Sequence, residues 1–334
     1  MTRRKISEAA LQKRRKKLNM FQRSVCYEDL GITFRKTLLE NALQVLENRK
    51  IIGLCGFHQV GKSTAALQLS KMLKNRNKSA KLELINLLDL AFYSEAMAYH
   101  LQKIKNSGSK FGDIVIVDEA TALRLFASDT NETKQFADEI LKVISEGCNV
   151  IVIYHRISDA RSFVRKLFGI TDECIVPSIL PNNEVIAEFD ACREIGIEFS
   201  QNTINRIIEV SGRHVSVLCN IIGLMLMDKF KDIYDKHLKL VNIDVDPDPY
   251  YEKTINGFFS GLGTVFSSGI YDGLSKCLTK REKRTLQALV YKTDSRMFVT
   301  EIEELKKYGI IEKDEHSVIV GEPIERYVRS ELRI

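Results

Sequence analysis

No stretch of this sequence reaches the roughly 18 to 20 uninterrupted apolar residues that a membrane helix requires. The nearest, Val215 to Met227, is shorter and carries Ser216, Cys219 and Asn220, so no membrane partner is expected. No CxxC pair occurs and the cysteines number seven, which indicates neither a zinc site nor a disulfide framework. A reducing, cytoplasmic setting is expected. The basic start runs into more charge instead of an apolar segment, so a secretory signal is not expected there. Internal repeats and low-complexity tracts are also missing. What is present is 334 residues, 44% hydrophobic and 28% charged. That is the composition of a globular protein with length for two or three domains.

The formal net charge of +6 is unevenly placed. Residues 1–23, MTRRKISEAALQKRRKKLNMFQR, hold nine Lys or Arg against Glu8 alone. Such an arm neutralises the phosphates of nucleic acid or meets another anionic partner, and its binding would weaken with salt. The alternative is a solvated terminus, since no aromatic residue interleaves to stack on bases.

From about Phe34 to Ile179, apolar runs alternate with amphipathic segments, the pattern of a parallel sheet flanked by helices. Expected strands are Ile51 to Cys55, Lys81 to Asn86, Ile114 to Val117, Asn149 to Tyr154 and Cys174 to Ser178. Their near-continuous apolar character predicts burial on both faces. Expected helices are Thr37 to Asn48, Lys62 to Asn75, Glu95 to Lys105, Glu132 to Glu146 and Ala160 to Phe168. After Pro181 the pattern becomes helical throughout, with Ser200 as an N-cap. NIDVDPDPYYEK reads as a linker or ordered loop. The final part reads as two helices, a stop at Gly309, a short hairpin over Lys313 to His316 and a closing helix, the order of a winged helix.

One window carries the chemistry. Gly56, Phe57, His58, Gln59, Val60, Gly61, Lys62 and Ser63 fit GxxxxGK[ST] in full, followed by Thr64 and lying between an expected strand and an expected helix. Glycines let the backbone wrap a phosphate, Lys62 reaches the β and γ phosphates, and Ser63 ligates Mg²⁺. The N-terminus of the following helix adds attraction for an anion. DIVIVDEA then supplies an apolar strand ending in Asp118, for the Mg²⁺ shell, and Glu119, to polarise an attacking water. At the tip of NVIVIYHRISD, Tyr154, His155 and Arg156 are candidates for meeting the γ phosphate, with His155 as a hydrogen-bonding group more than a proton carrier. His58 decorates the loop. Arg161 and Arg165 are candidates for an arginine finger toward a neighbouring subunit or are simply solvated.

These residues resemble the AAA+ superfamily of P-loop ATPases, within it the STAND-type and archaeal-type ATPases, and also origin-recognition initiators. The resemblance covers roughly residues 30 to 334. It rests on TFRKTLLENALQVL, the Walker A loop Gly56 to Thr64, the Walker B segment IVIVDEA, and EVSGRHVSVLCNIIGLML in a helical lid. In the family the last segment reads as a glycine pair, a His or Asn and a proline. Gly212 and His214 match it, whereas Arg213 and Val215 replace the second glycine and the proline. Arg213 is then the candidate for a sensor-2-like arginine.

The resemblance implies an α/β fold with a five-stranded parallel sheet, a helical lid and a C-terminal winged-helix-like domain. The expected layout is a basic arm at 1–30, a P-loop ATPase domain at 31–180, a lid at 181–240, a linker or helical region at 241–278 and the winged-helix-like domain at 279–334. The implied activity is slow, regulatory hydrolysis of Mg-ATP by a homo-oligomer. Two readings of its use remain. One is a nucleotide-dependent switch on double-stranded DNA, held by the basic arm, the winged helix and the KREKR cluster at Lys280 to Arg284. The other is a STAND-type signalling switch that binds a protein partner.

Overall fold

The computed structural model describes residues 35–87, 96–107, 113–125, 130–194, 196–229, 241–260, 269–293, 298–313 and 318–332. The basic arm, the start of the helix expected from Glu95 and the tip of the hairpin at 314–317 lie outside these residues. The chain divides into two compact units: Arg35–Phe57 with Gly61–Val176, and His58–Val60 with Pro177 onward.

The first unit opens with α1 (Lys36–Arg49), which buries Leu39, Ala42, Leu43 and Leu46. Spacings of three and four put those four side chains on one stripe. β1 (Ile51–Gly56) follows, then α2 (Lys62–Arg76), β2 (Leu82–Asn86), α3 (Ala96–Ser107) and β3 (Ile114–Asp118). After it come α4 (Ala122–Leu125), α5 (Thr130–Ser145), β4 (Asn149–His155), α6 (Ser158–Leu167) and β5 (Glu173–Ile175). The five strands form one parallel sheet in the order β2–β3–β4–β1–β5. The expected α/β fold with a five-stranded parallel sheet is therefore present, with α4 added.

Burial on both faces holds for the three inner strands, where Ile52, Leu54, Ile116, Val117 and Ile151 to Tyr154 are all sealed from solvent. It fails at the edges. Leu84 of β2 is half exposed, and β5 is only partly covered along its length. An edge strand has one flank without a neighbouring strand, whatever its side chains. β5 is also shorter than expected. Val176 still donates to the Cys55 carbonyl at 2.8 Å, but Pro177 has no N–H with which to continue the ladder.

In the second unit, α7 (Asn182–Glu194) leads to β6 (Ile197–Phe199). α8 (Gln201–Ser211) is capped as expected by Ser200, whose Oγ accepts from Thr203 N. α9 (Val215–Asp228) absorbs the most apolar run of the chain as a core helix. No helix among the described residues is long and apolar enough to cross a membrane. β7 (Val241–Ile243) pairs in parallel with β6, and α10 (Asp248–Ser260) begins within the stretch read as a linker. Both are corrections. Ile197 and Phe199 are buried about a half-exposed Glu198, but three residues of period two are too few to stand out from helical periodicity. The bidentate pair of Arg206 with Asp248, at 2.7 Å on both arms, ties α10 to α8.

The C-terminal elements are α11 (Gly269–Cys277), α12 (Lys280–Val290), α13 (Val299–Lys307), the antiparallel pair β8 (Glu312–Lys313) and β9 (Val318–Ile319), and α14 (Glu322–Glu331). The stop at Gly309 is found where it was expected. α12 starts with a capping box in which Thr279 and Glu282 exchange hydrogen bonds. Glu282 thus caps the helix that carries the KREKR charges.

Two predictions follow from packing. A Cβ at Gly53 of β1 would lie 2.9 Å from Tyr154 Cε1, closer still to its hydroxyl, and 3.1 Å from Ile170 Cγ2. Gly53→Val is expected to lower unfolding free energy by about 2 kcal/mol in urea titrations. His214 is fully buried with neither ring nitrogen hydrogen-bonded, and burial, aided by neighbouring Arg213, holds its pKa down to about 3. Below about pH 6.5 the unfolded chain takes up a proton that the folded one refuses, so stability falls with pH toward 3 by up to roughly 1.4 kcal/mol per unit. His214→Leu is expected to flatten that slope in urea midpoints measured from pH 7 to 5.

Candidate functional site

The phosphate-loop window lies between β1 and α2, as its sequence requires. Gly61 is the residue before α2 and sits at φ 83°, a left-handed conformation that glycine adopts without a Cβ penalty. Gln59 adopts φ 56°, which is strained for a residue with a side chain. His58 and Gln59 are partly exposed, and Val60 and Phe57 are buried. Lys62 is only 5% exposed. Its ammonium donates to the carbonyl of Phe57 at 2.6 Å, so the loop is closed on its own lysine. Ser63 is exposed and Thr64 half-buried at the first turn of α2.

The strand order decides what faces this loop. β4 lies between β1 and β3, with Gly56 paired in register with His155 and Val117 with Val152. The C-terminal ends of β1, β4 and β3 therefore line up, and polar groups at or just past these ends meet there. β3 ends in Asp118, whose carboxylate accepts from the Glu119 amide at 2.8 Å and lies near the Ser63 hydroxyl. Burial pushes the Asp118 pKa above its ordinary value, against the pull of the Ser63 hydroxyl, the Glu119 amide and Lys62. Glu119 turns through φ 56°, another left-handed residue with a side chain. That turn accompanies the approach of its carboxylate to His155, with Oε2 at 2.8 Å from Nε2.

His155 is the centre of the cluster. Its Nδ1 lies 3.3 Å from Lys62 Nζ. Its backbone amide donates to the Thr121 hydroxyl at 2.8 Å, and Ala120 N bonds the Ile153 carbonyl at the same distance. Burial first, and then the Lys62 charge, lower the imidazole pKa against the opposing pull of Glu119, so the ring is neutral at pH 7. A neutral ring has one N–H. Lys62 can only donate and the Glu119 carboxylate accepts, which assigns the proton to Nε2.

Sequence reasoning named Lys62, Ser63, Asp118, Glu119 and His155 separately, and the fold brings all five together. It missed Thr121, which anchors β4 to the segment after β3. The hydroxyl sits just past the acidic pair, but only the adjacency of β3 and β4 gives it a partner. Arg156 was a strand-tip candidate. It is buried, with its guanidinium 5.6 Å from the centre of the Phe57 ring and its amide bonded to the Gly56 carbonyl at 3.2 Å.

The remaining candidates have other surroundings. Arg161 forks onto Glu173, with Nε at 2.9 Å, and Glu173 also accepts from the Tyr154 hydroxyl at 2.8 Å. Burial raises the Glu173 pKa, but these bonds outweigh it and hold the carboxyl below its usual range. Arg161 is thus a brace among β4, β5 and α6. Arg165 is half-buried, with its Nε sealed from solvent and not hydrogen-bonded. In the second unit, Arg213 pairs with Glu312 of β8 and donates to the Leu180 carbonyl at 3.1 Å, while His214 is buried beside it.

The donor set fits a magnesium ion bound with a nucleotide. No group of three or more His, Cys, Asp or Glu able to hold a metal occurs among the described residues. One carboxylate and one hydroxyl, Asp118 and Ser63, are already drawn together. Mg²⁺ usually takes one or two protein oxygens and completes its shell with phosphate and water.

No protein-family model matches this chain, and no curated protein sequence does. Solved structures do resemble it. The Walker-type ATPase PABY2304 of Pyrococcus abyssi aligns with a TM-score of 0.54 at 16% identity, over 88% of this chain and 95% of that one. Domain III of the replication initiation protein DnaA from Thermotoga maritima aligns at 0.47 and 14%, over 66% and 92%. The RuvB Holliday junction branch migration motor of Thermotoga maritima aligns at 0.46 and 12%, over 93% and 99%. The chain shares the fold of that Walker-type ATPase, with its five-stranded parallel sheet in the order β2–β3–β4–β1–β5.

Proposed function

We propose that this protein binds Mg-ATP and hydrolyses it slowly, as a nucleotide-dependent switch on double-stranded DNA. The observation that carries the reading is the convergence of Lys62, Ser63 with Asp118, and Glu119 at one end of the sheet, beside a glycine-bounded loop that opens a helix. Lys62 would leave the Phe57 carbonyl for the β and γ phosphate oxygens, since an ammonium binds an anion more strongly than a neutral acceptor. The α2 N-terminus and the loop amides would hold the same phosphates. Ser63 and Asp118 would hold Mg²⁺, which when bound neutralises charge developing on the transferred phosphoryl group. Glu119 would accept a proton from water as its oxygen attacks the γ phosphorus, with the bond to the β–γ bridging oxygen breaking. Arg165 and Arg213 remain candidates for contacting a nucleotide, Arg165 from a neighbouring copy.

The DNA half of this reading rests on charge. Nine basic residues lie in 1–23, the sequence pI is about 8.8, and Lys280, Arg281 and Arg284 are exposed at the head of α12. The helix–helix–hairpin–helix order of α12, α13, β8, β9 and α14 is that of a winged helix. Assembly of several cytoplasmic copies around nucleotide is part of the same proposal. One observation favours the second reading, a switch that binds a protein partner. Arg281 pairs with Glu301 at 2.7 Å and Lys283 donates to the Ser275 carbonyl at 2.9 Å, so half of the cluster's positive charge is engaged inside the unit.

Lys62→Ala is expected to abolish binding of a fluorescent ATP analogue. Glu119→Gln is expected to leave that binding within about threefold of wild type and to lower kcat roughly 100-fold. Normal turnover by Glu119→Gln in a phosphate-release assay removes the role assigned to it. For DNA, fluorescence anisotropy with a labelled duplex is expected to show affinity dropping by about 10³-fold between roughly 50 and 200 mM salt, with a shallower slope once residues 1–23 are deleted. Salt-independent or absent binding selects the protein-partner reading.

A further inference from the structure

The first residues of the second unit after Pro177 are held from two sides. Ser178 donates its amide to the Tyr308 carbonyl at 2.8 Å, at the end of α13, and its own carbonyl accepts from Val215 N of α9 at 2.9 Å. Ile179 lies opposite His214 in an antiparallel bridge, and Leu180 N donates to the Arg213 carbonyl at 3.0 Å. The Leu180 carbonyl accepts from Arg213 Nη1 at 3.1 Å, and the same guanidinium pairs with Glu312 of β8. The backbone groups of this short segment therefore find their partners in the turn between α8 and α9 and in the C-terminal elements.

Gly309 closes the C-terminal side. It turns through φ 63°, and a Cβ there would lie 2.9 Å from Pro177 Cβ and from the amide nitrogens of Ser178 and Ile179. Both the left-handed backbone and the lack of room call for glycine. Further along, Arg326 of α14 forks onto Glu252 of α10, with Nη1 at 2.8 Å, and lies 4.9 Å from the centre of the Tyr251 ring. Upstream, Val176 N bonds the carbonyl of Cys55 in β1 at 2.8 Å, and β1 runs straight into the phosphate loop. Only Pro177 separates that bond from the one between Ser178 and Tyr308.

We propose, resting on the ATPase reading above, that residues 177–180 are a strap that locks the α8 and α9 pair to the C-terminal helices and hairpin, so that nucleotide occupancy beside β1 is transmitted along the chain to the C-terminal elements. A strap shared by two parts couples them, because neither shifts without breaking backbone bonds of the same four residues. Such coupling is reciprocal: a ligand held by the C-terminal elements changes nucleotide affinity by the factor with which nucleotide changes its own. C-terminal helices carried on a free tether would not respond to the phosphate loop.

Amide hydrogen exchange on the full-length protein, followed by mass spectrometry of overlapping peptides, reads the strap directly. The amides of Ser178, Leu180 and Val215 are expected to exchange at least about 100-fold more slowly than in an unstructured chain. A saturating non-hydrolysable ATP analogue is expected to slow exchange about fivefold at 178–180 and at 308–311 together. Gly309→Ala is expected to speed exchange at 178–180 about tenfold, the scale of one side chain forced into a left-handed turn. It is also expected to abolish the analogue's effect at 308–311 while peptides of α2 still respond. Should that variant fail to fold, Glu312→Ala loosens the same latch from a partly exposed position, and is expected to speed exchange at Leu180 about threefold and to weaken the effect at 308–311.

Rapid, chain-like exchange at 178–180 in the wild type overturns the proposal. So does an analogue effect that stops short of 308–311, or one that is equal in the wild type and the variant that folds. Peptides of α2 that ignore the analogue in the wild type overturn the nucleotide reading instead, and the analogue-free exchange at 178–180, with its change in the variant, then decides the lock by itself.

Discussion

The parallel pairing of β1 with β4 is the constraint on which the rest of this site depends. It places Gly56, where the phosphate loop begins, beside His155, and β4 in turn sets β3 one strand further along. Three strands that share a direction end at the same edge of the sheet. Side chains separated by up to 93 positions in sequence, Lys62 and His155, thereby come within 3.3 Å. Three residues with distinct charge preferences meet beyond these strand ends: the ammonium of Lys62 at the start of α2 donates, the neutral ring of His155 at the end of β4 does both, and the carboxylate of Glu119 just after β3 accepts.

Burial gives these short contacts their weight. In the low-dielectric end of the sheet, a charged or polar group without a partner is costly, and a satisfied network is correspondingly rigid. The backbone supports the same geometry. Left-handed Gln59, Gly61 and Glu119 all fall at the loop or at the acidic pair, where turns redirect amides and a carboxylate toward the crevice. Tyr154, Glu173 and Arg161 form a second buried network on β4, β5 and α6, stiffening the strand that presents His155.

Much of the fold was legible because its signals are local. Short apolar runs and amphipathic intervals placed all five strands and their helices within a few residues. The exceptions have local causes. Pro177 shortens β5, and the alternation of Ile197, Glu198 and Phe199 is too brief to reveal β6. The stretch around Asp246 to Asp248 looked like a linker because its prolines and aspartates suit a turn and the start of a helix alike. In the site, the motif spelled out Lys62 and Ser63, and the acidic pair could be recognised from the apolar strand before it. Thr121 carried no comparable signal. His155 was visible as a polar strand tip but not as a bridge, because a bridge is defined by both of its partners.

The amino-acid sequence alone determined the chemistry available: a glycine-bounded loop able to wrap an anion, a lysine, a hydroxyl and two adjacent acids. Those are properties of neighbours in the chain, set by φ preferences and side-chain type. Which of them meet was decided only in three dimensions. A sheet can order the same five strands in many ways, and only the folded chain fixes the order β2–β3–β4–β1–β5. That order inserts His155 between lysine and glutamate.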